Sequence, residues 1–177
     1  MSTSHPSHAA ADCNSDVTLR DGLAPDDDSA IRDIVASTGF FNPREIEVAV
    51  ELVREGLARG DASGYRFLVA SLDGRAIGYT CYGPVACTAA SFDLYWIAVH
   101  ADHRRRRIGR LLLLETERRI AAAGGERVYI DTSSRAQYAP TRRFYERHGY
   151  VCAALLPDFY ARGDHRLIYS KQIVAAV

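Results

Sequence analysis

With 177 residues, 47% of them hydrophobic and 25% charged, the chain is long enough for one domain with a sizeable core. Its 22 basic residues balance 22 acidic ones, so it lacks the positive excess of a general binder of nucleic acid. No apolar run reaches the roughly 18 residues that a membrane-spanning helix needs.

Residues 1–15 lack the basic head and apolar stretch of a secretory signal, and read as a flexible tail before a single domain over 16–177. The four cysteines, Cys13, Cys81, Cys87 and Cys152, form no C-x-x-C pair, which points to free thiols and a cytoplasmic chain. VTLR, 17–20, predicts a short strand. The acids and Ser29 of DDDSAIRDIVASTG, 26–39, predict a helix start, and Gly39 its end. Pro43 opens a second helix over 43–60. Its apolar residues Ile46, Ala49, Val50, Val53 and Leu57 recur at helical spacing. Residues 65–83 are two strands about an Asp73-Gly74 turn. SFDLYWIAVH, 91–100, is rich in aromatic and β-branched residues and predicts a long strand. Alternation places Phe92, Leu94 and Trp96 on one face and Asp93, Tyr95 and Ile97 on the other.

HADHRRRRIGRLLLLE, 100–115, then sets four arginines against an apolar helix of about 107–123. RVYIDTS, 127–133, is a strand, APTRRFYERHGY, 139–150, a short helix, and YVCAALLP and DHRLIYSKQI a closing antiparallel pair. The order β-α-α-β-β-β-α-β-α-β-β predicts an α/β domain, a mixed central sheet of about seven strands with helices on both faces.

Cations at a helix N-terminus are unfavourable unless an anion offsets them. A strand running into a helix aims free backbone N–H groups at such an anion, and a phosphate suits them. The segment is neither a P-loop nor G-x-G-x-x-G, since Gly109 is its one glycine. His100 and His103 have no further metal-ligand cluster beside them, so no metal is expected.

Residues 97–113, I-A-V-H-x-x-H-R-R-R-R-I-G-R-L-L-L, resemble motif A of the GNAT acyltransferases, in which a strand leads to [QR]-x-x-G-x-[GA] at a helix start. Arg104 stands at its first position and Gly109 at its last, while Arg107, and often Arg105, replace glycine. TRRFYERHGY, 141–150, resembles the family's A-x-x-F/L-Y-x-x-x-G-F. The whole is closest in pattern to the ribosomal-protein N-terminal acetyltransferases.

The resemblance implies the GNAT fold, acetyl-CoA as cosubstrate and an amine as acceptor. It places the pyrophosphate on residues 104–110 (Arg104, Arg105, Arg106, Arg107, Ile108, Gly109, Arg110) and the pantetheine arm along Ile97, Ala98 and Val99. A helical backbone at 105–107 would let the arginines point outward, and Gly109 would pack closely on the sheet. Tyr145 would protonate the leaving thiolate, with Phe144 turned into the core. For the base, Asp131, Asp93 and water stay open. Phe159 and Tyr160 would cover the acceptor, and Phe40, Phe41 and Tyr138 line its other wall. The acceptor is a small-molecule amine or a peptide N-terminus, with no membrane or nucleic-acid partner. Members of the family often form homodimers. A silent acyl-CoA sensor and an anion-binding module are the rival functions.

Overall fold

The apolar spacing of the chain sorts into seven strands and four helices. The computed structural model describes residues 16–173, and the tail assigned to residues 1–15 lies outside them. β1 (Val17–Asp21) leads to α1 (Asp27–Ser37) and α2 (Pro43–Arg59), then to β2 (Arg66–Leu72), β3 (Arg75–Pro84) and β4 (Ser91–Val99). α3 (Ile108–Ala122), β5 (Arg127–Ser133), α4 (Ala139–Arg147), β6 (Val151–Ala161) and β7 (Asp164–Gln172) follow, with short 3-10 turns at 60–63, 101–103 and 136–138.

Local chemistry fixes the boundaries. Asn42 Oδ1 accepts the Glu45 N–H at 3.0 Å, Glu45 Oε2 accepts the Asn42 N–H at 2.7 Å, and Pro43 occupies the first helical position of α2. Asp73 (φ 50°) and Gly74 (φ 76°) both take the left-handed backbone that a two-residue hairpin turn demands. At Gly125 a Cβ would meet Ile120 Cγ2 at 2.4 Å and Phe92 Cδ2 at 2.7 Å, so the turn from α3 into β5 has no room for a side chain.

The sheet order is β1-β2-β3-β4-β5-β7-β6. Every pair is antiparallel except β4 with β5, which α3 joins as the crossover. α1 and α2 cover one face, where Ile31, Ile34, Val35 and Val53 pack on Phe67, Val69, Tyr79 and Cys81. α3 and α4 cover the other. Ile108 and Leu112 sit over Leu68, Ala70 and Ile77, while Leu113, Ile120 and Tyr145 join Phe92, Leu94, Val128 and Ile130. Each such side chain contributes about 1.5–3 kcal/mol by leaving water. Ile108, expected among the cofactor residues through its backbone, turns its side chain into the core at 2% exposure, because α3 begins there with that side chain toward the sheet.

β6 is the outer strand, paired to β7 alone, with Val151, Leu155 and Leu156 exposed. Its register with β7 breaks between Leu156 and Ala161.

On the outer side of α3, Glu115 accepts from Arg118 Nη2 at 2.7 Å and from Arg119, which also grips Asp21 of β1. The hydrogen bond from Arg118, then that from Arg119, holds the Glu115 carboxyl down to about 2 against the opposing effect of burial. Folding therefore favours the ionised form. The wild-type advantage over Glu115→Gln is complete above the ordinary value of 4.5 and lost as pH falls through about 2. Urea midpoints of the two proteins should differ near neutrality and converge near pH 2. A gap that persists unchanged in acid would assign it to packing.

Candidate active site

β4 and β5 pair at three positions only, Ser91↔Arg127, Phe92↔Val128 and Asp93↔Tyr129. Beyond them β4 stays bonded to β3 as far as Val99, and β5 to β7 as far as Ser133. The two facing edges therefore part. A bulge at Tyr95 accompanies the split, since Cys81 pairs with Trp96 but Tyr82 with Leu94. The extra residue overturns the simple alternation expected for β4. Phe92 and Leu94 face α3, but Trp96 packs with the α1–α2 side, and Ile97 and Val99 return to the α3 side.

The parting strands leave a cleft of about 680 Å³. Ile97, Ala98 and Val99 form its β4 wall, and Asp131, Thr132 and Ser133 its β5 wall. At one end lies the arginine loop, where Arg105 and Gly109 reach the lining while Arg106, Arg107 and Arg110 do not. The loop is not helical. Arg105 (φ 62°) and Arg107 (φ 61°) both adopt the left-handed conformation, contrary to the helical backbone expected from their side chains. The family's glycines at these positions signal that geometry, and here arginine accepts its strain.

The consequence is in the main chain. Arg104 N–H bonds to Ala101 O at 3.3 Å, and Leu111 N–H to Arg107 O at 3.0 Å. Among the described residues, none of the six N–H groups from Arg105 to Arg110 has an acceptor. Left-handed residues interspersed in a loop turn successive N–H groups inward, a concavity suited to an anion, and the start of α3 adds its dipole. Arg104 itself lines the cleft but sends its guanidinium to Thr38 O, at 2.9 Å.

Gly109 has a different purpose from the tight sheet packing expected of it. A Cβ there would sit at ordinary contact distance, 3.9 Å, from Phe144 Cζ and Val99 Cγ2. The space it spares belongs to the cleft.

α4 brings Tyr145 to the cleft from behind. Both aromatic neighbours on α4 line the cleft and touch the core, and Tyr145 is the more deeply buried of the two. Tyr145, 4% exposed, enters the core against Tyr150 and Tyr169, with ring centroids 5.9 and 6.0 Å away. Phe144 stays partly exposed beside Gly109. The Tyr145 hydroxyl has no hydrogen-bond partner among the described residues, and burial pushes its phenol well above the usual range. It is protonated at neutral pH, as a proton donor must be.

Of the two carboxylates, Asp131 borders the cleft and is ion-paired with Arg166 of β7. Asp93 lies outside the lining, half-buried. Burial raises its carboxyl, and the negative charge of Asp131 raises it further.

Phe40, Phe41, Tyr138 and Tyr160 all line the far end. Phe159 does not. It stands 51% exposed, edge-on to Tyr160 and under the Arg166 guanidinium at 4.8 Å. The cleft also holds Glu45, Trp96 and Arg135, which the sequence did not single out. Arg135 Nε pairs with the buried Asp164 at 3.0 Å. Its position just past the carboxyl end of β5 was the available signal, since ligands bind beyond such strand ends.

Residues 63–152, just over half the chain, match the family model described as an acetyltransferase (GNAT) domain. The chain is 44% identical to a Desulfovibrio desulfuricans protein assigned to the GNAT acetyltransferases, covering 89% of this chain and 99% of that one with a TM-score of 0.88. The ribosomal-protein-S18-alanine N-acetyltransferase of Escherichia coli shares the fold at 19% identity, 91% and 96% coverage and a TM-score of 0.70. So does the PaiA N-acetyltransferase of Thermoplasma acidophilum in complex with coenzyme A, at 19% identity, 88% and 98% coverage and a TM-score of 0.67. Among curated protein sequences, none matches significantly.

The backbone of the loop generates a stability prediction. Glycine at a left-handed site removes a strain of about 1–2 kcal/mol, whereas elsewhere it costs about 0.5–1 kcal/mol. Arg107→Gly should therefore be more stable than Arg106→Gly by about 1 kcal/mol or more in urea denaturation. Equal midpoints would mean that the left-handed turn is not held in solution.

Proposed function

Because the chain belongs to the GNAT acetyltransferase family, we propose that it transfers the acetyl group of acetyl-CoA to a primary amine, of a small molecule or a peptide N-terminus, by direct attack within one complex. The observation that carries this is the row of six acceptor-free N–H groups at the mouth of a cleft running along the unpaired edge of β4. A pyrophosphate fits the first, and an amide-bearing chain such as pantetheine fits the second. Gly109 and Phe144 leave a smooth apolar wall between them.

Acetyl-CoA supplies an activated acyl group and a thiolate as leaving group. The protein's part is to hold both reactants and move protons. Tyr145 gives its phenolic proton to the departing sulfur. A β4 backbone N–H facing the gap stabilises negative charge developing on the acyl oxygen. Asp131 takes the proton of the attacking amine, directly or through water. Its place in the cleft favours it over Asp93, whose charge acts from behind, and Arg166 competes for the same oxygens. Phe40, Phe41, Trp96, Tyr138 and Tyr160 surround the acceptor with aromatic faces that suit an ammonium group before it loses its proton. The unshared hydroxyl of Tyr145 supports an enzyme over a silent acyl-CoA sensor. Among the described residues, the free thiols of Cys81, Cys87 and Cys152 favour a cytoplasmic setting.

Coenzyme A release across a panel of amines, amino acids and peptides tests the activity. Binding without release for every amine would support the sensor. Two variants probe the residues. Tyr145→Phe should leave stability and acetyl-CoA affinity nearly intact, since its hydroxyl bonds nothing among the described residues, while kcat falls roughly 10²-fold. An undiminished kcat with chemistry rate-limiting would remove the acid role. Gly109→Val should fold, because the site has space, but should weaken acetyl-CoA binding at least tenfold in calorimetry by filling the cleft. Unchanged affinity would place the donor elsewhere.

A further inference from the structure

Arg104 heads the arginine run, yet its side chain leaves the N–H cradle for the opposite wall. Its Nη2 donates to Thr38 O at 2.9 Å, and its guanidinium carbon lies 5.3 Å from the centre of the Phe40 ring. Three residues earlier, the Ala101 N–H donates to Ser37 Oγ at 3.0 Å. The loop after β4 thus grips the end of α1 and the α1–α2 loop at three points. From the other side, Tyr138 Oη and Gln137 Nε2 reach Phe40 O at 3.4 and 3.5 Å, and the rings of Phe40 and Tyr138 lie 5.7 Å apart. These last hydrogen bonds are at the limit of useful length, whereas the Arg104 bond is short and charge-assisted. The α1–α2 loop is a strap across the cleft, and Arg104 is its firmer fastening. The strap carries Phe41, whose ring packs on Trp96 at 4.8 Å.

We propose that Arg104 is a positioning residue for the acceptor and not a phosphate ligand. It latches the α1–α2 loop to the donor loop, so that an anion in the cradle of 105–110 also sets Phe40 and Phe41 in the acceptor wall. The proposal rests on the reading of that cradle as the donor site. The physical link is one peptide unit long. Arg104 joins Arg105, whose left-handed backbone an anion would hold fixed. A donor that orders this loop thereby pays in advance the entropy of ordering the strap, and the acceptor meets a formed wall.

Trp96 is the chain's single tryptophan and touches the strap through Phe41, so its emission reports the strap's position. The probe is coenzyme A itself, followed by Trp96 fluorescence and in parallel by calorimetry. In the wild-type protein, coenzyme A should change the emission. Arg104→Met keeps a similar stem without the latch. It should bind coenzyme A within about threefold of wild type, well short of the tenfold step of a lost phosphate contact. Its ligand-free emission should shift to the red, and the response to coenzyme A should fall to less than about half. A direct effect of the ligand on Trp96 would survive in the variant, so the loss separates coupling from contact. Phe40→Leu, which changes no residue of the donor loop and removes the ring under Arg104, should give a red shift in the same direction.

Affinity lowered tenfold or more in Arg104→Met, with emission unchanged, would make Arg104 a phosphate ligand and overturn the latch. So would an emission and a response identical to wild type. If neither protein binds coenzyme A, the donor-site reading fails instead, and the ligand-free red shift alone decides whether the latch exists.

Discussion

The structure turns on the early parting of β4 from β5. A parallel pair joined by a helix ordinarily zips along its whole length. Here each strand is committed to its other neighbour, β4 to β3 and β5 to β7, and only three positions remain shared. The unshared edges carry backbone groups that want partners. Every functional element is placed by this opening. The loop between β4 and α3, with its free N–H groups, lies at one end of the gap. α4 brings Tyr145 against it, and the α1–α2 loop lies across it. The bulge at Tyr95 lets β4 pack on both layers, since one extra residue turns Trp96 to the α1–α2 side while Ile97 and Val99 stay packed near α3.

The four arginines that seemed to form one positive patch have separate duties. Arg104 holds the α1–α2 loop. Arg105 and Arg107 matter for the shape of their backbone, which a glycine could also adopt. Arg106 remains exposed outside the cleft. In this reading the main chain holds the anion by direct bonds and the side-chain charges act at longer range, where salt screens them. A charge run thus says where a loop is solvated more than what each side chain grips.

Much of the fold was legible because its signals are local. Asp73-Gly74 specifies a turn whatever packs around it, and Pro43 with the spacing from Ile46 to Val53 specifies a helix with one buried face. The loop–helix motif also marked a segment, Arg104, Arg105 and Gly109, that lines the cleft. What escaped depends on partners distant in sequence. Alternation along β4 fails at Tyr95 because the bulge is a relation to β3, which no window of β4 contains. The phase of α4 decides whether Tyr145 or Phe144 is the more deeply buried, and neighbours 100° apart look alike in sequence. The burial of the Ile108 side chain likewise follows from Leu68, Ala70 and Ile77 on strands far earlier in the chain.

The outer strand shows how the fold protects itself from its own kind. β6 ends the sheet with an open ladder and exposed Val151, Leu155 and Leu156, a template onto which a stray strand could add. Its register breaks after Leu156, where Pro157 offers no N–H and Asp158 takes a left-handed φ of 53°. Another break lies earlier, between Cys152 and Ala154, so the regular edge offered to an incoming strand runs only from Ala154 to Leu156. Three residues fall short of the roughly six or seven that stacked cross-β segments use. The two register breaks of β6, the later of which spans Phe159 and Tyr160, are therefore also a guard against fibre growth.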